Sequence, residues 1–176
     1  AGIRVYEYAS TSTTEQCRFQ LEALFWFCYD SDAVAAANGM TAADASTRKS
    51  AILEKCSQLG LLDTKRLKAS RIMATSGKTM CPLCLEEHSG QGFFTRMEQA
   101  EGRAVLDLTI TQLNLFHIKE LRFGVLNHRP YNVGWGPHHC NVVVKDAGIL
   151  ETIDWMRKVL NRNIEQGYLP AKDKAS

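Results

Sequence analysis

The sequence lacks any long apolar run, because no stretch of about 18 consecutive apolar residues occurs in its 176 positions. A membrane-spanning helix needs about 20 such residues, so we expect no membrane partner. The first ten residues, AGIRVYEYAS, also lack the basic and apolar pattern of a secretion signal. We therefore expect a soluble, cytoplasmic protein, provided that this sequence is the full chain.

The chain also has little net charge, and its formal value of +2 at pH 7 is too small to indicate a nucleic-acid binder. The distribution is more informative, because residues 64–80 contain no acid and carry Lys65, Arg66, Lys68, Arg71 and Lys78. Lys and Arg lower the cost of approaching a phosphate backbone, so this stretch is a candidate segment for binding double-stranded DNA. A solvated connector is the alternative. No aromatic residue interleaves these charges, which argues against a single-strand stacking platform.

Helical patterns dominate the first part of the chain. Ser12-Thr13-Thr14-Glu15 matches a capping box, and the apolar spacing behind it predicts a buried helix over residues 14–29. A short Ala-rich segment follows over residues 33–39. Thr41 with Asp44 predicts the start of another helix, which should end at Gly60.

The second part mixes strand and helix patterns. Leu106, Leu108 and Ile110 alternate with polar residues, which predicts a half-buried strand. Near the end of the chain, apolar residues recur at helical spacing and predict a helix; they are Ile149, Ile153, Met156 and Leu160. The tail from Pro170 is expected to be disordered.

The six cysteines divide into two groups. Cys17, Cys28 and Cys56 fall on expected helix faces, where thiols behave as small hydrophobic side chains. Cys81 and Cys84 form a C-x2-C pair, which can grip one tetrahedral Zn²⁺ from a tight turn. A reduced compartment with a metal site accounts for these residues better than disulfide bonds do.

Residues 115–146 contain four of the five histidines. His117 ends one apolar segment, a polar loop follows, and Asn132 begins a second apolar segment. His138, His139, Cys140 and Asn141 then open an expected helix. The predicted order is strand, loop, strand, helix, with imidazole and carboxamide groups at the junctions.

This arrangement resembles the HNH, or ββα-metal, nuclease motif. Asn132 follows His117 by 15 positions and Asn141 follows Asn132 by nine, which is similar to the spacing in that family. The resemblance covers Cys81 to Tyr168. It implies an α+β fold in which a helical and basic region, residues 1–78, precedes a zinc-stabilised ββα-metal nuclease core, residues 79–170. The core would include the C-terminal helix, and residues 171–176 would be a tail.

The layout resembles small type II restriction endonucleases of the HNH class, which cut both strands of a short DNA site as homodimers. Region 1–78 would then contact DNA and mediate dimerisation. A homing-type or phage HNH endonuclease, or a non-specific nuclease, is the next possibility. A zinc-organised DNA-binding protein without catalysis is a further alternative. Its main support is Phe116, at a position where many family members carry a metal-binding acid or His.

The resemblance also implies roles for individual residues. His117 would be the general base, because imidazole titrates near neutral pH. Asn141 would hold a catalytic Mg²⁺ or Mn²⁺, with Glu120 as a possible second ligand. Asn132 would orient His117. Arg129, preferred over Arg122, would offset charge on the phosphate.

Each of these residues also has a structural interpretation: a core histidine for His117, a helix N-cap for Asn141 and a turn residue for Asn132. His128 lies in the loop between the strands. It could contact phosphate, but an exposed loop position is the expectation. Trp135 is expected to pack in the core.

A closed zinc site needs four ligands, and the resemblance places two of them just before the helix. Pro137 occupies the position where a Cys would complete a second CxxC, so the expected set is Cys81, Cys84, His138 and Cys140. His139 is the rival third ligand, and His88 is a weaker one. The structural alternative is two buried thiols in a turn.

Overall fold

The computed structural model describes residues 9–97, 111–121, 125–145 and 147–170, and these residues form an α+β fold. Their elements, in chain order, are α1 (Thr11–Trp26), α2 (Ser31–Ala37), α3 (Ala42–Gln58), α4 (Thr64–Ala69), a short 3₁₀ helix (Gly90–Phe93), β1 (Leu113–His117), β2 (Val133–Pro137), α5 (His138–Val144) and α6 (Ile149–Glu165). The strand expected at Leu106–Ile110, Arg122 and the tail 171–176 lie outside the described residues.

The N-terminal helices begin at side-chain caps. The hydroxyl of Thr41 accepts from the amide of Asp44 at 3.1 Å, so the predicted start of α3 is confirmed. Gly60 has a φ of +66° just beyond the end of this helix, as expected of a C-terminal glycine. The capping box predicted at Ser12 was wrong, because Ser10 caps α1 and accepts from the amide of Thr13 at 3.2 Å. Five consecutive Ser and Thr residues made the register ambiguous.

Helices α1, α2 and α3 enclose one part of the core. Its buried members are Ala23, Trp26, Ala35, Ala45, Ile52, Cys56 and Leu61. Cys17 and Cys28 are also buried, and burial raises the pKa of the Cys17 thiol to about 11. These three cysteines therefore behave as small apolar residues, as the sequence predicts.

Strands β1 and β2 form an antiparallel hairpin that leads directly into α5. The register runs from Leu113 opposite Pro137 to His117 opposite Val133. Thus the predicted order of strand, loop, strand and helix is confirmed. The fold is α+β with six helices and a two-stranded sheet among the described residues.

Phe116 joins the hairpin to α5. Its side chain is fully buried, and it clusters with Cys81, Cys140, Val144 and Ile149. A Cβ atom at Gly136 would lie 2.6 Å from Cδ2 of this ring, so glycine lets the ring lie across β2. The same apolar cluster brings two distant cysteines together beneath the sheet.

The helical region and the hairpin share a second apolar cluster. Cys17, Leu21 and Leu24 of α1 pack with Ile72 and Val133. The indole of Trp135 donates to the carbonyl of Leu21 at 2.9 Å, and it packs against this cluster as predicted. Because contacts join both sides of residue 78, the predicted boundary between regions 1–78 and 79–170 stays a prediction.

Helix α6 is the predicted C-terminal helix, and only its first turn is well buried. Ile149 is 2% exposed, whereas Leu160 is 52% exposed and its neighbour Trp155 is 56% exposed. The apolar stripe predicted from the sequence therefore continues onto solvent in the described part of the chain. None of the described helices combines the length and apolar character needed to cross a membrane.

Candidate metal and catalytic centre

Three thiols form a close group below the hairpin. The sulfur atoms of Cys81, Cys84 and Cys140 all lie within 4.8 Å of one another. Cys81 and Cys140 are buried, while Cys84 is exposed at the rim. The structure therefore brings together three of the four predicted zinc ligands from positions almost sixty residues apart in the chain.

The turn that carries Cys81 and Cys84 is shaped by its backbone. The amide of Leu83 donates to Sγ of Cys81 at 3.4 Å, and the amide of Cys81 donates to the carbonyl of Glu86 at 2.9 Å. Leu85 adopts a positive φ of 65° and closes the turn. An amide directed at the sulfur favours a thiolate, which is the form that binds metal.

Burial and mutual proximity favour the protonated forms of Cys81 and Cys140 when no cation is present. Burial is the main reason that the pKa of Cys140 is raised, and the charges of Cys81 and Cys84 raise it further. Burial also raises the pKa of Cys81. Zn²⁺ would offset this crowding of negative charge, so three converging thiols fit a zinc ion by both geometry and donor chemistry.

The predicted fourth ligand, His138, is the first residue of α5. Among the described residues, the close group contains the three cysteines and not this imidazole. His138 and its rivals, His139 and His88, instead line a neighbouring cavity of about 500 Å³. Nε2 of His88 is already engaged, since it lies 2.9 Å from the carbonyl oxygen of Trp135. The choice of fourth ligand stays a prediction.

His117 is the last residue of β1, and its ring meets a second imidazole. Nε2 of His117 lies 3.0 Å from Nδ1 of His128, with the ring centroids 5.3 Å apart. His128 is only 5% exposed, so the expectation of an exposed loop histidine was wrong. The loop folds back over the end of the strand and buries this residue against His117.

This environment keeps His117 neutral. The pKa of His117 is lowered from 6.5 to about 4. Burial is the larger cause, and the neighbouring His128 is the smaller one. Burial also lowers the pKa of His128. A neutral imidazole at neutral pH has a lone pair that can accept a proton, so this environment is compatible with a general base.

Asn132 immediately precedes β2, and its side chain is buried and fully engaged. Its Oδ1 accepts from the amide of Lys119 at 2.8 Å, and its Nδ2 donates to the carbonyl of Asn127 at 2.6 Å. These bonds tie both ends of the loop to the start of β2. This geometry is compatible with the predicted supporting role of Asn132.

Asn141 is half-buried in α5. Within the described residues its side chain has no hydrogen-bond partner, so its carboxamide oxygen is free to bind a cation. Phe116 packs against α5, and adjacent residues of a strand point to opposite faces. His117 therefore leaves the strand on the other face from Phe116, and joint action of His117 with Asn141 stays a prediction.

A groove lined by several cationic side chains lies between α4 and the loop that joins β1 to β2. It holds about 300 Å³ and is lined by Arg66, Lys119, Arg129 and Tyr131, with Asn132 on its floor. The guanidinium of Arg66 stacks 3.9 Å above the ring of Tyr131. Across the described part of the chain, no carboxylate forms an ion pair with Arg66, Lys119 or Arg129. These cations are therefore available to a polyanion.

The other basic residues predicted to bind DNA are placed differently. Arg71 lines an adjoining cavity of about 500 Å³, and its Nε donates to the carbonyl of Pro82 at 2.7 Å. Lys65 and Lys68 are exposed on α4. Lys78 is half-buried near Cys28. Its charge lowers the pKa of the Cys28 thiol, but burial raises that pKa by more. The structure therefore gathers only part of this set around the groove.

Two contributors, Lys119 and Tyr131, were missed from the sequence, whereas His128 was named but expected to be exposed. The hydroxyl of Tyr131 donates to the carbonyl of Gly60 at 2.6 Å and accepts from the amide of Asp63 at 3.2 Å. These bonds connect the loop between β1 and β2 to the start of α4 and position Tyr131, which lines the groove. The turn sequence around His128 was visible, but its burial depends on contacts far along the chain.

Comparisons with known proteins identify the family. No curated protein and no solved structure matches the chain significantly. The family model described as BstXI restriction endonuclease matches residues 1–139, which is most of the chain and includes the histidine pair, the groove and two of the three clustered thiols. The chain therefore belongs to the BstXI restriction endonuclease family and is a restriction endonuclease, an enzyme that cleaves DNA.

Proposed function

We propose that this protein is a site-specific type II restriction endonuclease of the HNH type, in which His117 is the general base. The family supports restriction of DNA. The observation that carries the finer assignment is the half-buried imidazole of His117 at the end of β1, 3.0 Å from His128, in a strand–loop–strand–helix unit whose loop borders a cationic groove. The nearby triad of thiols also fits the zinc site that the motif implies.

The proposed reaction hydrolyses one phosphodiester bond in each strand. A water proton passes to His117, the water oxygen bonds to phosphorus in line, and the bond from phosphorus to the 3′ oxygen breaks. The 3′ oxygen then takes a proton from solvent, and His117 returns its proton to solvent. The products carry 5′-phosphate and 3′-hydroxyl ends. Arg129, exposed beside the groove, offsets charge on the phosphate.

Asn141 is the proposed ligand of a catalytic Mg²⁺ or Mn²⁺. The unpartnered carboxamide oxygen suits a hard cation that keeps most of its waters. When bound, such an ion supplies positive charge next to the phosphate oxygens. The apolar packing of Phe116 removes the neighbouring ligand position that many HNH proteins use, so this protein would hold its ion through few side chains.

The proposed structural metal is Zn²⁺, bound by Cys81, Cys84 and Cys140. We assign the fourth position to His138, because it opens the same helix that carries Cys140. The hairpin and α5 bury little by themselves, and a metal at their base would make the unit rigid. Residues 79–170 would then form the nuclease core behind the region 1–78.

A homodimer is the proposed assembly, since two-fold symmetry matches a palindromic site cut on both strands. The stripe on α6 has the spacing of a helix–helix seam, with steps of four, three and four between its apolar residues. Its exposed part, including Met156 and Leu160, supports α6 as a contact between copies beside the proposed contact of region 1–78. The family supports a cytoplasmic location, where such an enzyme meets DNA.

The deciding experiment incubates purified protein with plasmid DNA and Mg²⁺ and sequences the ends. Discrete fragments that require Mg²⁺, and that are lost in His117→Ala while DNA binding persists, support the proposal. A fully active His117→Ala protein would refute the general base. A smear of fragments would favour a non-specific nuclease. A shift of DNA in a gel without cleavage would favour the non-catalytic alternative, whose main support is Phe116.

A further inference from the structure

We propose that His128 is a positioning residue whose Nδ1 accepts a hydrogen bond from Nε2–H of His117, which keeps that proton on Nε2 and leaves the lone pair of His117 on Nδ1. This inference rests on the proposed role of His117 as the general base. It assigns a function to a residue in the middle of the loop, at a position where the family resemblance places none.

The argument begins with the nitrogens that face each other. Nε2 of His117 and Nδ1 of His128 are 3.0 Å apart, which is hydrogen-bond distance, so one of them carries the shared proton. If His117 donates, its Nδ1 is unprotonated and can take a proton from water. If His128 donates, Nδ1 of His117 carries a proton and cannot act as a base. Catalysis by His117 therefore requires Nδ1 of His128 to accept the hydrogen bond from Nε2–H of His117.

The outer nitrogens are free to complete this arrangement. Nε1 of Trp26 is the only fully buried side-chain nitrogen or oxygen without a partner among the described residues. Neither Nδ1 of His117 nor Nε2 of His128 has a hydrogen-bond partner there, so both retain contact with solvent. His128 can thus keep its own proton on Nε2, and a water molecule can approach Nδ1 of His117.

The loop holds His128 in place from both sides. Asn127 donates to the carbonyl of Glu120 at 2.8 Å and accepts from the side chain of Asn132 at 2.6 Å. The carbonyl of Arg129 accepts from the amide of Asn132 at 3.1 Å. Both sequence neighbours of His128 are therefore anchored to Asn132. On this account Asn132 orients His117 indirectly, by fixing the loop that presents His128.

The test compares two substitutions of His128 that differ in whether they retain a hydrogen-bond acceptor. His128→Phe keeps the burial and removes the acceptor, whereas His128→Asn retains an acceptor, because the Asn Oδ1 occupies nearly the place of the His Nδ1. We expect His128→Phe to slow single-turnover cleavage of plasmid by at least about tenfold with unchanged affinity for DNA. His128→Asn should recover most of the rate. Ser31→Ala is the control, because it removes a buried hydrogen bond to Trp26 far from the groove.

A second measurement reads the tautomer directly. In the intact protein at neutral pH, ¹⁵N NMR of the histidine rings should show His117 protonated on Nε2, and His128→Phe should release this preference. The inference would be overturned if His128→Phe cleaved at the wild-type rate, or if His117 were protonated on Nδ1. The His117→Ala variant tests the general base separately. A uniformly unfolded His128→Phe protein leaves His128→Asn and the tautomer measurement to decide.

Discussion

Nε2 of His117 lies 3.0 Å from Nδ1 of His128, although 11 positions separate the two residues in the chain. The contact forms because the loop after β1 folds back and is anchored at Asn132. It holds this strand-terminal histidine against a second imidazole and leaves its side chain half-buried. The charge of His117 should therefore respond to pH differently from that of an exposed histidine.

The first prediction concerns stability and pH. The pKa of His117 is about 4 in the folded chain and 6.5 when unperturbed, so between these values the unfolded chain binds more protons. The free energy of unfolding should therefore fall as the pH falls, by about 2 kcal/mol from His117 between about pH 7.5 and pH 5. Urea unfolding at several pH values measures this loss.

The matched variant is His117→Gln, which cannot titrate. Its stability should decline less steeply between the same pH values, and the difference between the two curves isolates His117. In catalysis, kcat/KM should stay high well below pH 6.5, since the free enzyme retains a neutral base there. Parallel stability curves for the two proteins would contradict the burial of His117.

The second prediction concerns zinc. The purified protein should contain about one Zn²⁺ per chain by elemental analysis, and a strong chelator should lower its melting temperature. Cys84→Ser should lose the metal. Because the Cys84 side chain is exposed, its replacement disturbs little packing, so the loss of stability would reflect the metal.

The control for zinc is Cys56→Ala. Cys56 is fully buried between α1 and α3, far from the clustered thiols in the apolar core. This variant should be less stable through lost packing and yet keep its full zinc content. Equal zinc content in Cys84→Ser and the wild type would remove Cys84 from the site.

The third prediction concerns packing beneath the hairpin. Gly136→Ala should cost about 1–3 kcal/mol of stability, because its methyl group would overlap the fully buried ring of Phe116. Gly134→Ala is the matched control in the same strand, since its methyl group would meet Ile72 at an ordinary 3.5 Å. Denaturant midpoints compare the two. A neutral Gly136→Ala would mean that Phe116 does not lie across β2.

The fourth prediction concerns DNA affinity. Arg66→Gln and Arg129→Gln should each weaken binding and reduce the slope of log affinity against log salt concentration by about one. Fluorescence anisotropy with labelled duplex, without divalent cation, measures both quantities.

Arg48→Gln is the control for the DNA experiment. Arg48 is also an exposed arginine, but both of its contacting nitrogens bond Glu22 on α1. Its charge is therefore already compensated, and its loss should change affinity little. If Arg48→Gln and Arg66→Gln weakened binding equally, the cationic groove would have no special role.

Local patterns explain which elements could be predicted. The amphipathic spacing of α3 and its Thr41 cap depend on residues within a few turns, so the sequence alone predicts that helix. The hairpin and α5 follow from short apolar segments ending at His117 and beginning at Asn132. The start of α1 was misplaced, because several adjacent hydroxyl side chains can cap a helix and only packing selects one.

The candidate site was predicted less completely. The C-x2-C pair and Cys140 were identified by spacing, and three-dimensional packing around Phe116 brings them together. Phe116 packs against α5, and strand alternation sends the adjacent His117 to the opposite face of the strand. The burial of His128 likewise could not be predicted, since an Asn-His-Arg-Pro segment is equally suited to an exposed turn.

The sequence by itself determined the main helices and the hairpin and identified the three thiols that lie together, because these depend on residue chemistry and short-range periodicity. It also predicts His117 as the base. Only the tertiary structure decided that His128 meets His117 and that Arg66, Lys119 and Arg129 share one groove. It also left the apolar stripe of α6 exposed. These relationships depend on how a loop and several helices pack together, and packing is a property of the whole chain.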